Sequence, residues 1–536
     1  MTNPTPFPDD AAKALPRRKR ALLHLCVLLC VLLFAGAIAR FYERGTGFTS
    51  LLTVGEWIGD QAIPAFRDVP HYVFNHSYGY DGSYYVQIAL SPFLDDPALP
   101  QAIDNLPYRA RRILLSWTAW VAGLGQPSLI VHVFPLLNVA TWFALAWLLL
   151  RWFPPTSWNS FFRWFAVMFS QGVCMSVRNS LTDAPSLLLL ATAVLFLQRG
   201  RTGGGVVALA AATLTKETSV LASAAFQRFE SASPRGWRRT ALLGGLVALP
   251  LVLWLAYIRW KIGADVGEGK HNFTAPLAGL GEKWAETVTA LVDGKTTGLE
   301  WSTAACVLGL TVQCAFCLSR WRPADIWWRA GVPFAVMALF LSKPVWEGWP
   351  GAAPRVLLPL TLAFNVLVPR GARWLPVLIA GNLSFIGSFA ELTPPARFYQ
   401  FAGPSQLADE VSVKAVGGWY GIEQRGASTW RWSSGEAGLQ FKNQASTPLL
   451  VTVEGSLTAL APGRHVEIRA GDQALWTSAV SPSGVKFRFA CRLAPGETLV
   501  QFTTNTPAPP EDQDRRRLAF SVSNLKLTLA SEPASP

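Results

Sequence analysis

The sequence predicts a polytopic α-helical membrane domain followed by an all-β, jelly-roll-like sandwich on the outer side of the membrane. Three observations predict it. Hydrophobic residues make up 51% of the 536, charged residues only 15%, and the mean hydropathy is +0.26, whereas soluble globular chains carry about 25% charged residues. Apolar runs long enough to cross a bilayer alternate with short basic loops as far as residue 395. From about residue 415 the pattern changes to period two, as in Leu439, Phe441 and then Leu449, Val451, Val453, with Pro-Gly and Pro-Ser-Gly breakers between runs.

The charge is distributed as topology. The chain carries 47 Lys and Arg against 34 Asp and Glu, a formal net charge of +13. Residues 401–536 hold 13 of the basic and 12 of the acidic groups, so nearly all of the surplus belongs to the membrane half. There it clusters between apolar runs, at Arg17, Arg18, Lys19 and Arg20, then Arg151 and Arg163, Arg199 and Arg201, Arg238 and Arg239, Arg320 and Arg322, and Arg370 and Arg373. Short Lys/Arg-rich loops stay cytoplasmic. A nucleic-acid partner would need a basic face on a folded domain, and none is predicted.

The resulting organisation is a cytoplasmic tail (1–20), a membrane domain (21–395) with an outer loop at 40–108, a linker (396–414) and an outer β domain (415–536). Crossings are predicted at 21–39, 127–150, 161–178, 182–198, 240–260, 302–319, 328–345, 354–369 and 374–391. The run 203–226 is flanked by basic loops on both sides, which predicts a re-entrant pair of half-helices around Thr215, Lys216 and Glu217; charges at membrane depth are tolerated inside protein or in a water-filled cavity. Nine crossings are odd, so the β domain lies outside. Six of the seven cysteines fall in apolar runs and Cys491 stands alone in the outer domain, which excludes a disulfide framework there; Cys314 and Cys317 read as packing residues. Trp419, Tyr420, Trp430 and Trp432 open two readings: sugar-stacking platforms, or aromatics that seal the sandwich or sit at the bilayer interface.

The outer loop carries eight acidic residues against three arginines. At its centre Asp81 lies among Tyr78, Tyr80, Tyr84 and Tyr85, with Gly79 and Gly82 permitting a tight backbone path. Such a carboxylate suits a general base or a metal ligand; equally, it suits a cap on the helix that Ser83 begins. His71 and His76 precede it without a standard ligand spacing, so no metal or other cofactor is expected, although a divalent ion is not excluded. Arg111 and Arg112 open a helix at the outer face, where guanidinium forks suit a phosphate or anchor the helix at the interface. Arg178 and Asp183 read alternatively as a local pair, and Lys216 and Glu217 as another.

These segments resemble the GT-C superfamily of integral-membrane glycosyltransferases, which includes protein O-mannosyltransferases, and within it bacterial proteins of cell-surface glycopolymer formation. The resemblance covers about residues 20–395. It rests on Tyr80-Asp81-Gly82 with Tyr84 and Tyr85, on Tyr108-Arg109 with Arg111, Arg112 and Ile113, on Thr182-Asp183, and on the segment from Leu214 to Thr218. In place of the family's Glu-x-Arg-Tyr before a late span, this chain has Pro354-Arg355. The resemblance implies an inverting enzyme of the bacterial inner membrane, N-terminus cytoplasmic and β domain periplasmic, that moves a sugar from a polyprenyl-phosphate donor to an envelope glycan or lipid-linked acceptor. It implies Asp81 as general base and Arg111, Arg112 and Arg355 on the donor phosphate, with Tyr80, Tyr84, Tyr85, Arg109, Asp183, Lys216 and Glu217 as further site candidates. Rival expectations are a transporter of lipid-linked sugars, motivated by the broken run at Lys216, and a non-catalytic assembly protein whose outer domain binds glycan. If Asp81, Arg111, Arg112 and Arg355 were scattered over more than about 15 Å, no shared site would be possible, because base and phosphate contacts must reach one sugar.

Overall fold

A computed structural model describes residues 17–531 except 44, 56–57, 59–60, 75–76, 228–233, 264–269, 294–297, 349–350, 396–397, 403–409, 426–427, 461–462 and 506–515. The tail before residue 17 and His76 lie outside the described residues. About twenty helices come first, then a β domain.

Among the described residues, four helices are long and apolar enough to cross a membrane: Arg18–Ala39, Pro127–Leu149, Gly236–Ile262 and Gly298–Ser319. Ala372–Ala380 and Leu383–Glu391, bent by 43° at their junction, make a fifth if taken as one span. The nine predicted crossings are therefore not established. Several predicted spans are broken: 161–178 divides into Trp158–Met168 and Gln171–Arg178 at an extended Ser170, and 354–369 divides into Ala353–Val356 and Leu358–Leu367. A helix of 10–17 residues rises only about 15–26 Å, short of the roughly 30 Å hydrocarbon core; Asp183–Gln198, Thr202–Thr215 and Ile326–Phe340 fall in this class. The run 203–226 does break where predicted. Thr202–Thr215 is α-helical, Lys216 is extended at φ −154° and ψ 118°, and Glu217–Phe226 continues as a 3-10 helix.

Buried polar side chains tie the helices together, as expected where apolar association alone is weak. Asn365 and Asn382 exchange hydrogen bonds at 2.8 and 3.0 Å, and Gln313 bonds both Thr361 and the Gly381 carbonyl. Arg163, read from the sequence as a loop cation, is instead buried and donates to the Val368 and Pro369 carbonyls at the end of Leu358–Leu367, where a cation suits the helix terminus.

The outer loop forms a core of its own. Leu52, Val54, Phe66, Tyr85 and Val86 pack with Ile113, Ile130 and Phe134, and Trp254 at the far end of Pro234–Ile262 donates its indole hydrogen to the Ala110 carbonyl at 2.8 Å. A two-residue parallel ladder, Val54 with Val73 and Gly55 with Phe74, holds the loop's two arms together. Gly79 (φ +73°) presses on this ladder so closely that a Cβ there would lie 2.4 Å from the Gly55 nitrogen. Gly79→Ala combines left-handed backbone strain of about 1–2 kcal/mol with a clash against backbone that cannot rotate away. A fall in the thermal unfolding midpoint is expected, and an unchanged midpoint would show that the loop relaxes freely.

The β domain alternates as predicted: along Val485–Leu493, Phe487, Phe489, Cys491 and Leu493 face inward while Lys486, Arg488 and Arg492 face out. The principal path is Gln473–Val480, Arg464–Ala470, Gly496–Thr504, Ser428–Asn443, Phe520–Ser531, Leu449–Thr458 and Val485–Leu493, antiparallel throughout. Val411–Arg425 pairs with Ser428–Asn443, and Tyr399–Ala402, inside the predicted linker, adds a parallel strand to Phe520–Ser531. Ser428–Asn443 pairs with Phe520–Ser531 near its start and with Gly496–Thr504 near its end. One long strand thus takes two successive partners along one edge, and in place of two separate layers the nine-stranded sheet curls nearly into a barrel around a single core. Trp419 belongs to that core. It is buried, bonded to the Gly438 carbonyl at 2.9 Å and edge-on to Phe398, Phe502 and Phe520, so it offers no stacking face to a sugar. Trp430 is half-buried and donates to Glu423.

Candidate functional site

Asp81 precedes the helix Gly82–Leu90, but its side chain makes no capping hydrogen bond. The capping alternative is thereby corrected. The Tyr80 amide donates to the Thr53 carbonyl at 2.9 Å, and Gly82 abuts the turn after Gln171–Arg178 so tightly that a Cβ would stand 2.1 Å from the Asn179 oxygen. The backbone is held on two sides, and the freed carboxylate turns to cations. It lies 2.9 Å from Arg109 and 3.3 Å from Arg355. Burial would raise the Asp81 carboxyl, but the charges of Arg109, Arg355 and Arg112 outweigh it and hold the group below the usual carboxylate range.

Each cation is itself fixed. The short helix Leu106–Ala110 is capped by the Asn105 side chain, which accepts from the Tyr108 amide, and it presents Arg109 to Asp81 and to Asp104, the latter through two bonds of 3.1 and 2.8 Å. Arg112, at the start of Ile113–Ala122, makes a two-pronged pair with Glu217 at 2.9 and 2.9 Å and donates to the Tyr85 and Tyr108 hydroxyls. Arg111 stands 3.9 Å from Glu217. Arg355 bridges Asp81 and Asp183, while Lys216 pairs with Asp183 from the other side. Gly172 lets the helix Gln171–Arg178 close on Arg355's segment; a Cβ there would be 2.3 Å from the Pro354 oxygen.

Asp81, Arg109, Arg111, Arg112, Arg355, Lys216 and Glu217 line one cavity of about 700 Å³, within the range of small-molecule sites. Asp183 and Tyr85 stand behind it as partners. Tyr84 and Tyr80 lie under guanidiniums, 5.2 Å from Arg109 and 5.6 Å from Arg355. Three sequence alternatives are corrected here. Arg178 does not pair with Asp183; it donates to the Ser50 carbonyl and the Thr53 hydroxyl. Lys216 and Glu217 do not pair with each other, because the extended backbone at Lys216 sends them to Asp183 and to Arg112. Arg112 is only 6% exposed and so is no interfacial anchor. His71 lies outside this cavity, stacked on Phe66 and bonded to the Val69 carbonyl.

Two features were not read from the sequence. Tyr108 is a hub, its ring centre 4.4, 4.9 and 5.5 Å from the guanidinium carbons of Arg111, Arg112 and Arg109; a tyrosine followed by three arginines within four residues is the signal that marks it. The far wall comes from His271, Asn272 and Phe273, with Asn272 donating to the Tyr108 hydroxyl. No motif marks that segment, whose position comes only from tertiary contacts such as Ser342 donating to the His271 carbonyl.

No protein-family model matches the chain, and no curated protein is similar enough in sequence to count as a relative. Chemically, the site sets an ionised carboxylate beside convergent guanidiniums and an ammonium. Five cations face four carboxylates, Asp81, Asp104, Asp183 and Glu217. An anionic ligand could be held there by charge-assisted hydrogen bonds, within reach of a proton acceptor.

Proposed function

We propose that the chain is a membrane glycosyltransferase of the GT-C type, using a polyprenyl-phosphate sugar as donor and an envelope glycan or lipid-linked acceptor. The observation that carries this reading is the convergence of Asp81 with Arg109, Arg111, Arg112 and Arg355 on one cavity. In the proposed step the acceptor hydroxyl oxygen attacks the anomeric carbon with inversion. The bond from that carbon to the phosphate oxygen breaks, the phosphate leaves with the electron pair, and the hydroxyl proton passes to an Asp81 oxygen. Arg111 and Arg112 hold the leaving phosphate as its charge grows. Asp81 is a weak base while two guanidiniums face it. A donor phosphate competes for those guanidiniums, and each one that turns to it leaves Asp81 more basic. No metal or other cofactor enters the step. On this reading the helical domain makes nine crossings of a bacterial inner membrane with 203–226 re-entrant, and the jelly-roll-like domain is periplasmic.

A second reading, a transporter of lipid-linked sugars, is favoured by the helix break at Lys216 beside the same cavity. Purified protein in proteoliposomes, supplied with polyprenyl-phosphate mannose labelled in the sugar and a mixed pool of envelope lipids and glycans, separates the two. Label appearing on an acceptor is expected. Label crossing the bilayer while still on the polyprenyl lipid would replace the transferase with the transporter.

A further inference from the structure

Arg112 has few hydrogens to spare for a phosphate. A guanidinium carries five N–H hydrogens. Two of Arg112's go to Glu217, one to the Tyr85 hydroxyl and one to the Tyr108 hydroxyl, which leaves a single hydrogen on Nη1. Most of what Arg112 offers the cavity must therefore pass through a neighbour. Tyr85 is buried behind the site, whereas Tyr108 lines the cavity.

The Tyr108 hydroxyl is aimed by what it accepts. Arg112 donates to it at 3.1 Å, and the Asn272 amide donates from the far wall at 3.4 Å. Both partners are donors, so they engage the oxygen's lone pairs and leave its own hydrogen to point elsewhere. Among the described residues no acceptor takes that hydrogen. Tyr108 is half-buried on the cavity wall, so an acceptor for it has to come from the ligand. A hydroxyl that accepts from a cation is polarised, and it donates the more strongly for that. The group is also held still. Its amide donates to the Asn105 cap, and the guanidiniums of Arg109, Arg111 and Arg112 surround its ring.

We propose that the Tyr108 hydroxyl donates a hydrogen bond to a phosphate in this cavity and so carries the charge of Arg112 to it. Resting on the transferase reading, that phosphate is the leaving group of the polyprenyl-phosphate donor. As its bond to the anomeric carbon breaks, the oxygen that gains charge draws the Tyr108 hydrogen bond tighter. The proton stays on the phenol, because a phosphate monoester takes up its second proton only near pH ~6, whereas a phenol releases its own near ~10.

The test is binding by the full-length protein in detergent, with decaprenyl phosphate, decaprenol and inorganic phosphate as probes. The wild type prefers decaprenyl phosphate to decaprenol. In Tyr108→Phe that preference falls about tenfold or more, the usual worth of a hydrogen bond to a charged group. The preference is a ratio within one variant, so it holds whatever fraction of the protein folds. An unaltered preference overturns the assignment, whether or not the protein transfers sugar. A reduced preference in a protein whose wild type transfers no sugar keeps Tyr108 on the phosphate and removes the transferase. Inorganic phosphate that binds as tightly as the lipid, with the same loss in Tyr108→Phe, makes free phosphate the ligand and overturns the lipid source. The pH profile of transfer is a second readout. Arg109, Arg111, Arg112, Glu217 and His271 are the charged and titratable groups around Tyr108. Burial would raise its hydroxyl, but the Arg112 charge outweighs burial and holds it below the ordinary tyrosine value. A phenolate cannot donate, so kcat/KM falls on an alkaline limb with a midpoint below about 10, and Tyr108→Phe removes that limb. An identical limb in the variant would overturn the proposal.

Discussion

If the chain is the transferase proposed above, Asp81→Asn is expected to lower glycosyl transfer by about 10²- to 10⁴-fold, the usual contribution of a positioned proton acceptor, while the protein remains in the membrane at its normal level. The two halves of this expectation have separate physical grounds. The amide keeps the shape of the carboxylate but cannot take the proton of an attacking hydroxyl. The fold survives because neither guanidinium is abandoned: Arg109 keeps Asp104, and Arg355 keeps Asp183. The measurement is label transfer in proteoliposomes alongside the surface-glycan profile of a strain carrying the variant. A normal glycan profile at normal protein level would remove Asp81 from the chemistry. The pH dependence gives an independent check. The Asp81 carboxyl is held below its usual range, so it is ionised throughout the neutral region and loses its charge only as pH falls below about 3.9, the ordinary Asp value. The same sign governs stability. The native state's preference for ionised Asp81 is fully present above that value and is lost as pH falls through the depressed one. In the free enzyme Asp81 therefore puts no acid limb on transfer between pH 5 and 8. An acid limb with a midpoint near ~6.5 in kcat/KM, which reports the free enzyme, would mean that some other group accepts the proton.

Much of this site was legible because its chemistry is local in sequence. Asp81 announces itself as a lone carboxylate among tyrosines and glycines, and Arg109, Arg111 and Arg112 as cations that directly follow an acidic loop. The break at Lys216 follows from charge placement, since basic loops flank both sides of its run. Partner choice was not legible. Arg178 and Asp183 are five residues apart and look like a pair, yet Arg178 goes to Ser50 and Thr53 while Asp183 is taken by Lys216 and Arg355. Only the packing of distant segments decides this, through contacts such as Gly172 on Pro354 and Gly82 on Asn179. Trp419 misleads in the same way. A tryptophan beside a tyrosine at the start of a β domain resembles a stacking platform, but strand alternation turns it inward. The span count is left open for a different reason. Hydropathy registers an apolar run and is blind to a single extended residue, such as Ser170, that divides a helix.

The Arg112–Glu217 pair separates a structural cation from a phosphate-binding one. It joins the start of Ile113–Ala122 to the first residue of Glu217–Phe226, and Arg112 is buried. Breaking a buried pair by removing one partner costs about 3–5 kcal/mol, because a charge is left without compensation, whereas replacing both partners with apolar residues of similar volume is close to neutral. Arg112→Met alone therefore lowers the thermal unfolding midpoint, and so does Glu217→Leu alone, where Arg112 retains only the Tyr85 and Tyr108 hydroxyls. The double variant, Arg112→Met with Glu217→Leu, recovers most of the lost stability. Transfer behaves differently. If Arg112 holds the leaving phosphate, the double variant refolds the site without its fork, and transfer stays about 10²- to 10³-fold down, the loss expected when one preorganised donor to a developing negative charge is removed. Arg112→Lys keeps the charge but loses the two-pronged geometry, and it falls between the wild type and the double variant. Recovery of transfer together with stability in the double variant would make Arg112 a structural residue and leave the phosphate to Arg111, Arg109 and Arg355.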